Sequence, residues 1–552
     1  MKSKPIEATN FIEEIINKDI LEGRNELSEC VQTRHPPEPS GYLHIGHARN
    51  IYLNYGTALK YDGICNLRFD DTNPSKESQE FVDAIIADVK WLGYCPKNIF
   101  FATDYFQKNY EYCVKLLKEG KAYVDDLSPD ELTAYRGTLT EAGKNSPFRE
   151  RTIEENLDLF DRMKNGEFEA GSRCVRAKID MASPNINMRD PVIYRIQYGN
   201  HQRIGKKWNI YPTYDFSHPM DDAMEGVTHS MCGLDFEDHR PLYDWVVESC
   251  GFVNKPRQIE SSLMLIKGVI LGKRNIKRLV EKGVVSGWDD PRLFTLRALK
   301  RRGVMPEAIL NFVKACSIGK ANSLIERSFL EHFIRENLNQ ISRRVMAVLD
   351  PVELELTNLD KAEEIELDDY PQNETTTKRN LTFEKHLFVD RDDFIDFNDP
   401  KFYRLQVGGE VRLKGAYIVK CTGFDRDASG QVSKIYAEVE FDTKSGSGST
   451  KKVKGTIHWL PASESRKCTI NIYENLIDEN FDGKIVETTD FDSQINTNSH
   501  KIITNALVEK NVDFNLDERY QFLRKGYFCV DSVLSTKENL VFNEVIDLKS
   551  SK

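Results

Sequence analysis

Arg34-His35-Pro36-Pro37-Glu38-Pro39-Ser40-Gly41-Tyr42-Leu43-His44-Ile45-Gly46-His47 decides how the rest of this chain is read. It follows a strand start at Cys30-Val31-Gln32 and runs into a helical pattern from Ala48 to Lys60. A second strand, Gly63 to Phe69, closes on Asp70-Asp71. Strand, loop, helix, strand is half of a doubly wound sheet, whose ligands sit beyond the carboxyl ends of the strands. The prolines exclude helix before Gly41, and Gly41 and Gly46 let backbone approach a flat ligand. His44 and His47, three apart at a helix start, share one face. Two imidazoles beside open N–H groups at a helix N-terminus suit a polyphosphate. A lone histidine pair at this spacing more often caps a buried helix. The strand–loop–helix setting favours the ligand site.

The 552 residues should hold several domains and bury ample core. With 40% hydrophobic and 30% charged residues, the composition fits a soluble globular chain and not a membrane or disordered one. Met1 to Arg24 has no long apolar run, and Asn10 with Glu13 reads as a capping box opening a short helix. No signal peptide or spanning segment is legible, so a cytoplasmic location is expected. The eleven cysteines form no CxxC pair, which argues against zinc and against a disulfide framework. Net charge is −11, yet Lys273 to Arg302 holds ten Lys or Arg against three acids, and Asp350 to Asp369 holds nine acids and one Lys. Such asymmetry predicts an electrostatically divided surface.

Further along, Phe81, Val82, Ile85, Ile86, Val89 and Leu92 make a helical stripe within Ser75 to Leu92. A strand at Asn98 to Ala102 and a helix at Tyr110 to Lys118 follow. The pattern is mixed from Tyr123. The sheet is expected to resume with Ile210 to Phe216 and Gly226 to His229, and helical periodicity then runs to about Gln340. After Arg343 alternation of period two takes over, at Val411 to Lys420, Lys434 to Phe441, Val453 to Leu460 and Cys468 to Tyr473, which predicts β-barrels. Lys444-Ser445-Gly446-Ser447-Gly448-Ser449 reads as a hairpin tip.

His-Ile-Gly-His in this setting resembles the signature of class I aminoacyl-tRNA synthetases. The longer string from Pro36 to His47, with Phe69-Asp70-Asp71-Thr72-Asn73-Pro74, resembles their glutaminyl/glutamyl branch. Lys452 to Trp459 and Gly526 to Asp531 resemble the anticodon-binding barrels of the glutaminyl members, and bacterial glutamyl members carry a helical domain there. The resemblance implies an α/β fold: a doubly wound Rossmann-type catalytic domain, an inserted acceptor-binding domain, a helical subdomain and two C-terminal β-barrels. The expected divisions are an N-terminal extension helix at 1–26, catalytic halves at 27–104 and 211–262, the insert at 105–210 and an ATP-loop and helical subdomain at 263–341. The barrels take 342–552, the distal one about 400–475.

The resemblance also implies a two-step reaction. An amino-acid carboxylate attacks the α-phosphorus of ATP, and the adenylate then acylates the 2′-hydroxyl of the terminal tRNA adenosine. Phosphoryl chemistry of this kind rests on positioning and charge stabilisation. Catalytic candidates are His44, His47 and Lys273. Lys273 lies in Leu271-Gly272-Lys273-Arg274, an atypical form of the family's Met-Ser-Lys loop. The ATP site is expected from Glu38, Pro39, Ser40, His44, Ile45, Gly46, His47, Ala48, Arg49, Asn50, Gly233, Leu263, Met264, Leu271, Gly272 and Lys273. His35 and Ser40 depart from the usual residues. Asp70 matches the acid that holds the substrate ammonium, Tyr214 matches the reader of the side-chain amide, and Arg34 lies in the same pocket. Both Asp70 and Tyr214 are expected at strand ends.

Glutamyl relatives usually place arginine at the position of Cys232, where it can pair with a carboxylate. A thiol cannot, which favours glutamine. For tRNA(Gln), Leu139 resembles a wedge opening the first acceptor pair, and Asp238 an acid reading guanine in the minor groove. Lys320, Arg344, Lys401, Arg404, Arg412, Lys414, Gln521 and Arg524 complete the expected RNA contacts. Mg2+ is expected with ATP, zinc and membrane are not, and the chain is expected to be monomeric. Two other readings stay open: a glutamyl or relaxed-specificity relative, and a tRNA-binding protein with decayed catalysis.

Overall fold

A computed structural model describes residues 2–24, 30–74, 77–478, 481 and 491–548. The expected helix start at Ser75 and the division at 26/27 lie outside them. The chain forms two compact units, Met1–Leu265 with Val313–Ile325, and Ile266–Phe312 with Glu326–Lys552. The expected subdomain at 263–341 is therefore shared between the two.

In the first unit, β1 (Gln32–His35), β2 (Ile64–Phe69) and β3 (Ile99–Phe101) form a parallel sheet in that order. All of β2 after Ile64 is buried, as a strand covered on both faces must be. Strands β4 (Ala122–Asp125), β5 (Cys174–Ala177), β6 (Val192–Ile196) and β7 (Ile210–Pro212) form a separate antiparallel sheet. Strands β8 (His229–Gly233) and β9 (Arg257–Ser261) are a parallel pair. The Thr228 N–H donates to the Gln32 carbonyl at 2.9 Å and sets β8 beside β1. The parallel order is then β3-β2-β1-β8-β9, with the reversal of direction between β1 and β8, where ligands of this architecture bind.

Two expectations need correcting here. Ile210–Pro212 belongs to the antiparallel sheet, and Tyr214 opens a helix, Tyr214–Glu225, that ends on left-handed Gly226. A three-residue apolar run carries no signal of which sheet it joins, so the parallel sheet resumes only at β8. The helix after the histidine motif starts at Ile45, not Ala48, because His44 caps it, and it contains a π-helical turn at Tyr52–Gly56. In the N-terminal helix Phe11–Leu21, Asn10 accepts from the Ile12 and Glu13 N–H groups as expected, while Glu13 reaches back to Thr9.

The second unit contains two seven-stranded sheets. The chain enters one at Arg343–Val345 and Ala347–Val348, passes into the other from Pro351–Leu356 to Leu460–Pro461, and returns at Ser465–Tyr473. The distal sheet thus spans 351–461 where about 400–475 was expected. Val411 to Lys420 is not one strand but a turn between Glu410–Leu413 and Ile418–Arg426. Gly415 makes it possible at φ 75, where a Cβ would lie 2.3 Å from Leu367. Lys444–Ser449 is no hairpin tip: it joins Val432–Glu440 to Thr456–Ile457, which are not neighbours. Val453 to Leu460 likewise splits into Thr456–Ile457 and Leu460–Pro461, with His458 and Trp459 turned inward between them.

The charge blocks are also used internally. Arg292 is bound by Asp290 at 2.8 Å, Arg301 by Asp531 at 3.1 Å, and Arg302 by the Val545 carbonyl at 3.0 Å. In the acidic block Glu353 and Glu355 meet Lys434, Glu363 meets Lys444, and Asp369 meets Arg343. All eleven cysteines are free thiols, most of them buried. Among the described residues no helix is long and apolar enough to cross a membrane.

Candidate active site and RNA-facing residues

The loop after β1 is built by its own backbone. The Pro37 carbonyl accepts from Asp70 N–H at 3.0 Å and the Pro39 carbonyl from Ser78 N–H at 3.2 Å, which ties it to the end of β2. Ser40 donates through its hydroxyl to Glu38 at 2.7 Å. His44 Nδ1 accepts the Gly46 N–H at 3.0 Å, and His47 Nδ1 accepts the His44 N–H at 3.1 Å. The two rings lie 3.9 Å apart. Since both Nδ1 atoms accept backbone protons, each neutral ring carries its proton on Nε2 and presents a donor there. The histidines therefore cap the helix.

Other expected ATP residues divide. Ile45 and Ala48 are fully buried in core. Asn50 turns inward, its Oδ1 on His35 Nδ1 at 2.8 Å; burial lowers the His35 pKa to about 4, so His35 stays neutral. Arg49 is buried and donates to Ser262 and the Ser317 carbonyl at 3.2 Å each. Gly233 and Leu263 are brought together, a Cβ at Gly233 falling 3.5 Å from Leu263. Met264 is buried.

Arg34, Asp70, Tyr214 and Cys232 do converge, but not as equals. Arg34 is fully buried, and all its guanidinium nitrogens are taken: Nε by Asp222 at 2.9 Å, one terminal nitrogen by the Met231 carbonyl at 3.0 Å, the other by Asp222, Ser230 and His218. Asp222 also receives Arg68 at 2.7 Å and the Tyr243 hydroxyl at 2.8 Å. Despite its burial, Arg34 and Arg68 hold the Asp222 carboxyl far below the ordinary range. Arg34 is therefore fully committed within this buried network.

His218 was not anticipated. It stacks on Tyr214 at 4.6 Å between ring centres and sits against both Arg34 and Arg68. Burial and those two cations keep it neutral. Tyr214, His218 and Asp222 are spaced i, i+4, i+8, so one helix face carries phenol, imidazole and carboxylate toward β1 and β2. That spacing was the available signal.

Tyr214 is the first helical residue, not a strand end. Burial pushes its phenol pKa up, Arg34 opposes this, and Asp70 and Cys232 add to it. Arg34, Asp70 and Cys232 thus all lie within electrostatic range of the phenol. Asp70, half-buried and hydrogen-bonded by Thr72 at 3.1 Å, is raised to about 6, chiefly by burial. Cys232 is raised to about 12 by burial, so it is a neutral thiol. It faces Glu260 in register, and Glu260 is held by Arg240 at 2.9 Å.

The Asp70 loop is gripped by an insert segment that sequence reading also missed. His201 Nε2 donates to the Asp71 carbonyl at 2.8 Å and lies 3.2 Å from Glu77, while Gln197 donates to Asn73 at 3.2 Å. The Arg203 N–H donates to His201 Nδ1 at 3.1 Å, which fixes the Nε2–H tautomer.

In the second unit, Lys273 is the first residue of helix Lys273–Glu281. A cation there opposes the helix dipole and adds nothing to helix stability by that route. Gly272 caps the helix at φ −68, so no glycine-specific conformation is used. Leu271 is half-buried beside it.

For RNA, Leu139 is 82% exposed and Asp238 is exposed. Lys320 lies over the Phe11 ring at 5.4 Å. Lys401 and Lys414 are exposed, and Gln521 is half-buried. The remaining expected cations are engaged. Arg404 and Arg524 share the buried Asp393, at 3.1 and 2.7 Å. Arg412 donates to the Thr443 carbonyl at 2.8 Å, and Arg344, nearly buried, closes on Asn339 and Ser342 carbonyls at 2.8 Å. Arg524 holds φ 69, a left-handed position unusual for a long side chain.

The family described as class I tRNA synthetases (E and Q), catalytic domain, matches residues 30–340, and its anticodon-binding domains match 342–440 and 456–531. The chain belongs to the class I tRNA synthetases of the E and Q branch. A glutamine–tRNA ligase of Clostridium perfringens is 48% identical over 547 residues, covering 99% of this chain and 98% of that one. Another, from Clostridioides difficile, is 47% identical over 553 residues, 100% and 99% of the two chains. A third, from Bradyrhizobium diazoefficiens, is 47% identical and covers 98% and 97%.

Proposed function

We propose that this chain ligates L-glutamine to tRNA(Gln) with ATP, through a glutaminyl-adenylate and transfer to the 2′-hydroxyl of the terminal adenosine. The observation that carries glutamine is the state of charge around Tyr214. Arg34 is fully committed to Asp222, and Cys232 is a neutral thiol. A substrate carboxylate would lose its hydration there and meet no uncompensated cation. An amide loses far less and finds a phenol to bond. Asp70 takes the ammonium.

The histidine loop and Lys273 take the triphosphate. His44 and His47 stabilise the transition state at the phosphates, and Lys273 meets the charge that develops on pyrophosphate as the α-phosphorus is attacked. Glu38, Pro39, Ser40, Gly233 and Leu263 border the nucleotide, Mg2+ enters with ATP, and Leu139 and Asp238 meet the acceptor end.

ATP–pyrophosphate exchange with glutamine and with glutamate, each with and without tRNA, is the test. Exchange with glutamine alone is expected. Exchange favouring glutamate would overturn the reading of Cys232. No exchange with either, under tight tRNA binding, would establish a decayed tRNA-binding protein.

A further inference from the structure

We propose that Arg189 and Asn185 are positioning residues that hold the Leu139 loop and the Asp238 segment in fixed relation, so that the acceptor end meets a rigid two-point reader. This rests on the reading of Leu139 as wedge and Asp238 as minor-groove acid.

An apolar side chain 82% exposed at a loop tip wedges a base pair only if its backbone cannot yield. The loop from Gly137 to Glu141 has little hydrophobic anchorage of its own. Beyond its own Thr138 N–H to Glu141 carbonyl bond at 3.1 Å, it is tied to the rest of the insert by one guanidinium. Arg189, almost wholly buried, donates through a single terminal nitrogen to the carbonyls of Arg136, Thr138 and Glu141 at 2.9, 2.8 and 2.8 Å. These carbonyls flank Leu139 on both sides. Within the loop Thr138 Oγ1 accepts the Thr140 and Glu141 N–H groups at 3.3 and 3.1 Å. Arg189 Nε donates to the Ser183 carbonyl at 2.7 Å, and so joins the wedge loop to the 183–189 loop.

That second loop reaches the other reader. Asn185 Nδ2 donates to the Asp238 carbonyl at 2.7 Å, while its Oδ1 accepts the Asn187 N–H at 2.9 Å. One short segment thus bonds both RNA-facing elements. Its own foundation is over-determined. Asp190, next to Arg189, holds φ 43, a left-handed conformation that persists only under constraint. The Asp190 carboxylate receives Arg149 at 2.7 Å, the Tyr123 hydroxyl at 3.1 Å and the Ile179 N–H at 2.7 Å.

The test uses single-turnover aminoacylation by the full chain on three tRNAs: normal, with a mismatched first acceptor pair, and with inosine for the guanine facing Asp238. Arg189→Lys keeps the charge and loses the fork. Asn185→Asp keeps the Asn187 cap and loses the donor to Asp238. On normal tRNA each variant should lose about ten- to a hundredfold in kcat/KM, the scale set by misplacement of about 1 Å. On mismatched tRNA, Arg189→Lys should recover to within about twofold of wild type, since no pair has to be opened. On inosine tRNA, Asn185→Asp should match wild type, since the contact is absent in both. Equal losses on all three tRNAs would show general structural damage and overturn the brace. So would an unchanged Arg189→Lys where Leu139→Ala loses activity on normal tRNA alone. If Leu139→Ala loses nothing, the wedge reading fails first and the brace falls with it.

Discussion

Replacing Cys232 by arginine should turn the pocket toward glutamate, and the structure sets both the size and the competitor. Cys232 is a neutral thiol, in register with Glu260 and within the field of Arg34. Arg34 is neutralised by Asp222, so a new guanidinium would be the first uncompensated cation beside Tyr214. A glutamate side chain could pair with it, and a well-formed hydrogen bond to a charged group contributes about 1.5–3 kcal/mol. At about 1.4 kcal/mol per tenfold, this is roughly ten- to a hundredfold in kcat/KM for glutamate. Glutamine should lose activity, because the guanidinium would stand desolvated without a carboxylate. Glu260 is the competitor. Arg240 already holds it, yet capture of the new arginine by Glu260 would bring the glutamate gain to the lower end of that range. A full switch is not expected while the supporting shell stays as it is. The assay is kcat/KM for each amino acid with cognate tRNA, wild type against Cys232→Arg. A glutamine-to-glutamate ratio that stays constant or rises would mean that position 232 does not face the substrate, and the reasoning from charge would be lost.

Lys273→Ala should slow glutamine activation by about 2.7–4 kcal/mol in the barrier, as loss of one electrostatic group does elsewhere, with tRNA affinity nearly intact; an unchanged single-turnover rate would move the role to Lys267 or Arg274. Asp70, raised to about 6 on folding, binds its proton more tightly in the folded chain between about 3.8 and 6, so it costs stability as pH rises through that window. Asp70→Asn should therefore raise Tm at pH 8, leave it near wild type at pH 4 and raise KM for glutamine, while wild-type KM should climb below about pH 6; a lower Tm at pH 8 would refute the desolvation argument. Asp222→Asn should cost about 3–5 kcal/mol in denaturant unfolding, since it strands Arg34 and Arg68 in the interior, and a loss under 1 kcal/mol would show that water reaches them. Binding of tRNA should weaken steeply with salt despite the net charge of −11, and a flat response in filter binding would remove Lys401, Lys414 and the exposed cations near Lys273 from the RNA surface.

The parallel core was legible because its signals are local. Prolines, glycines and the histidine pair fix where β1 ends and a helix begins, and the strand to Phe69 reads as a buried run. What escaped was pairing. Ile210–Pro212 is apolar in any sheet, and only its register with β6 reveals the antiparallel one. Lys444–Ser449 has a hairpin's composition, but its flanking strands choose other partners. The site divided in the same way. Asp70, Tyr214 and Cys232 were expected together from their positions in motifs, and each of Asp70 and Cys232 acts electrostatically on the Tyr214 phenol. His218 and His201 were missed, since each is defined by what packs against it. Arg344, Arg404, Arg412 and Arg524 were read as RNA cations, and each holds carbonyls or a buried carboxylate in its own unit.

The placement of charge gives this site its logic. Strands β1 and β2 carry Arg34 and Arg68, each buried, under a pocket that must accept an uncharged amide. Left unpaired, either would attract a carboxylate substrate or fail to be buried at all. The helix answers with Asp222 between them and with Glu225 3.3 Å from Arg68, while burial pushes the Asp221 and Glu225 carboxyls upward. Two cations thus meet two carboxylates below the pocket floor. His218 is the layer between. Held neutral by burial and the two cations, it passes no net charge upward, yet it stacks on Tyr214 and orients the phenol proposed to read the amide. The same helix therefore screens the charge and aims the reader. Moving that face by one residue would draw His218 and Asp222 away from Arg34 and Arg68 together, so the aim of the helix face and the burial of the ion network depend on a single register.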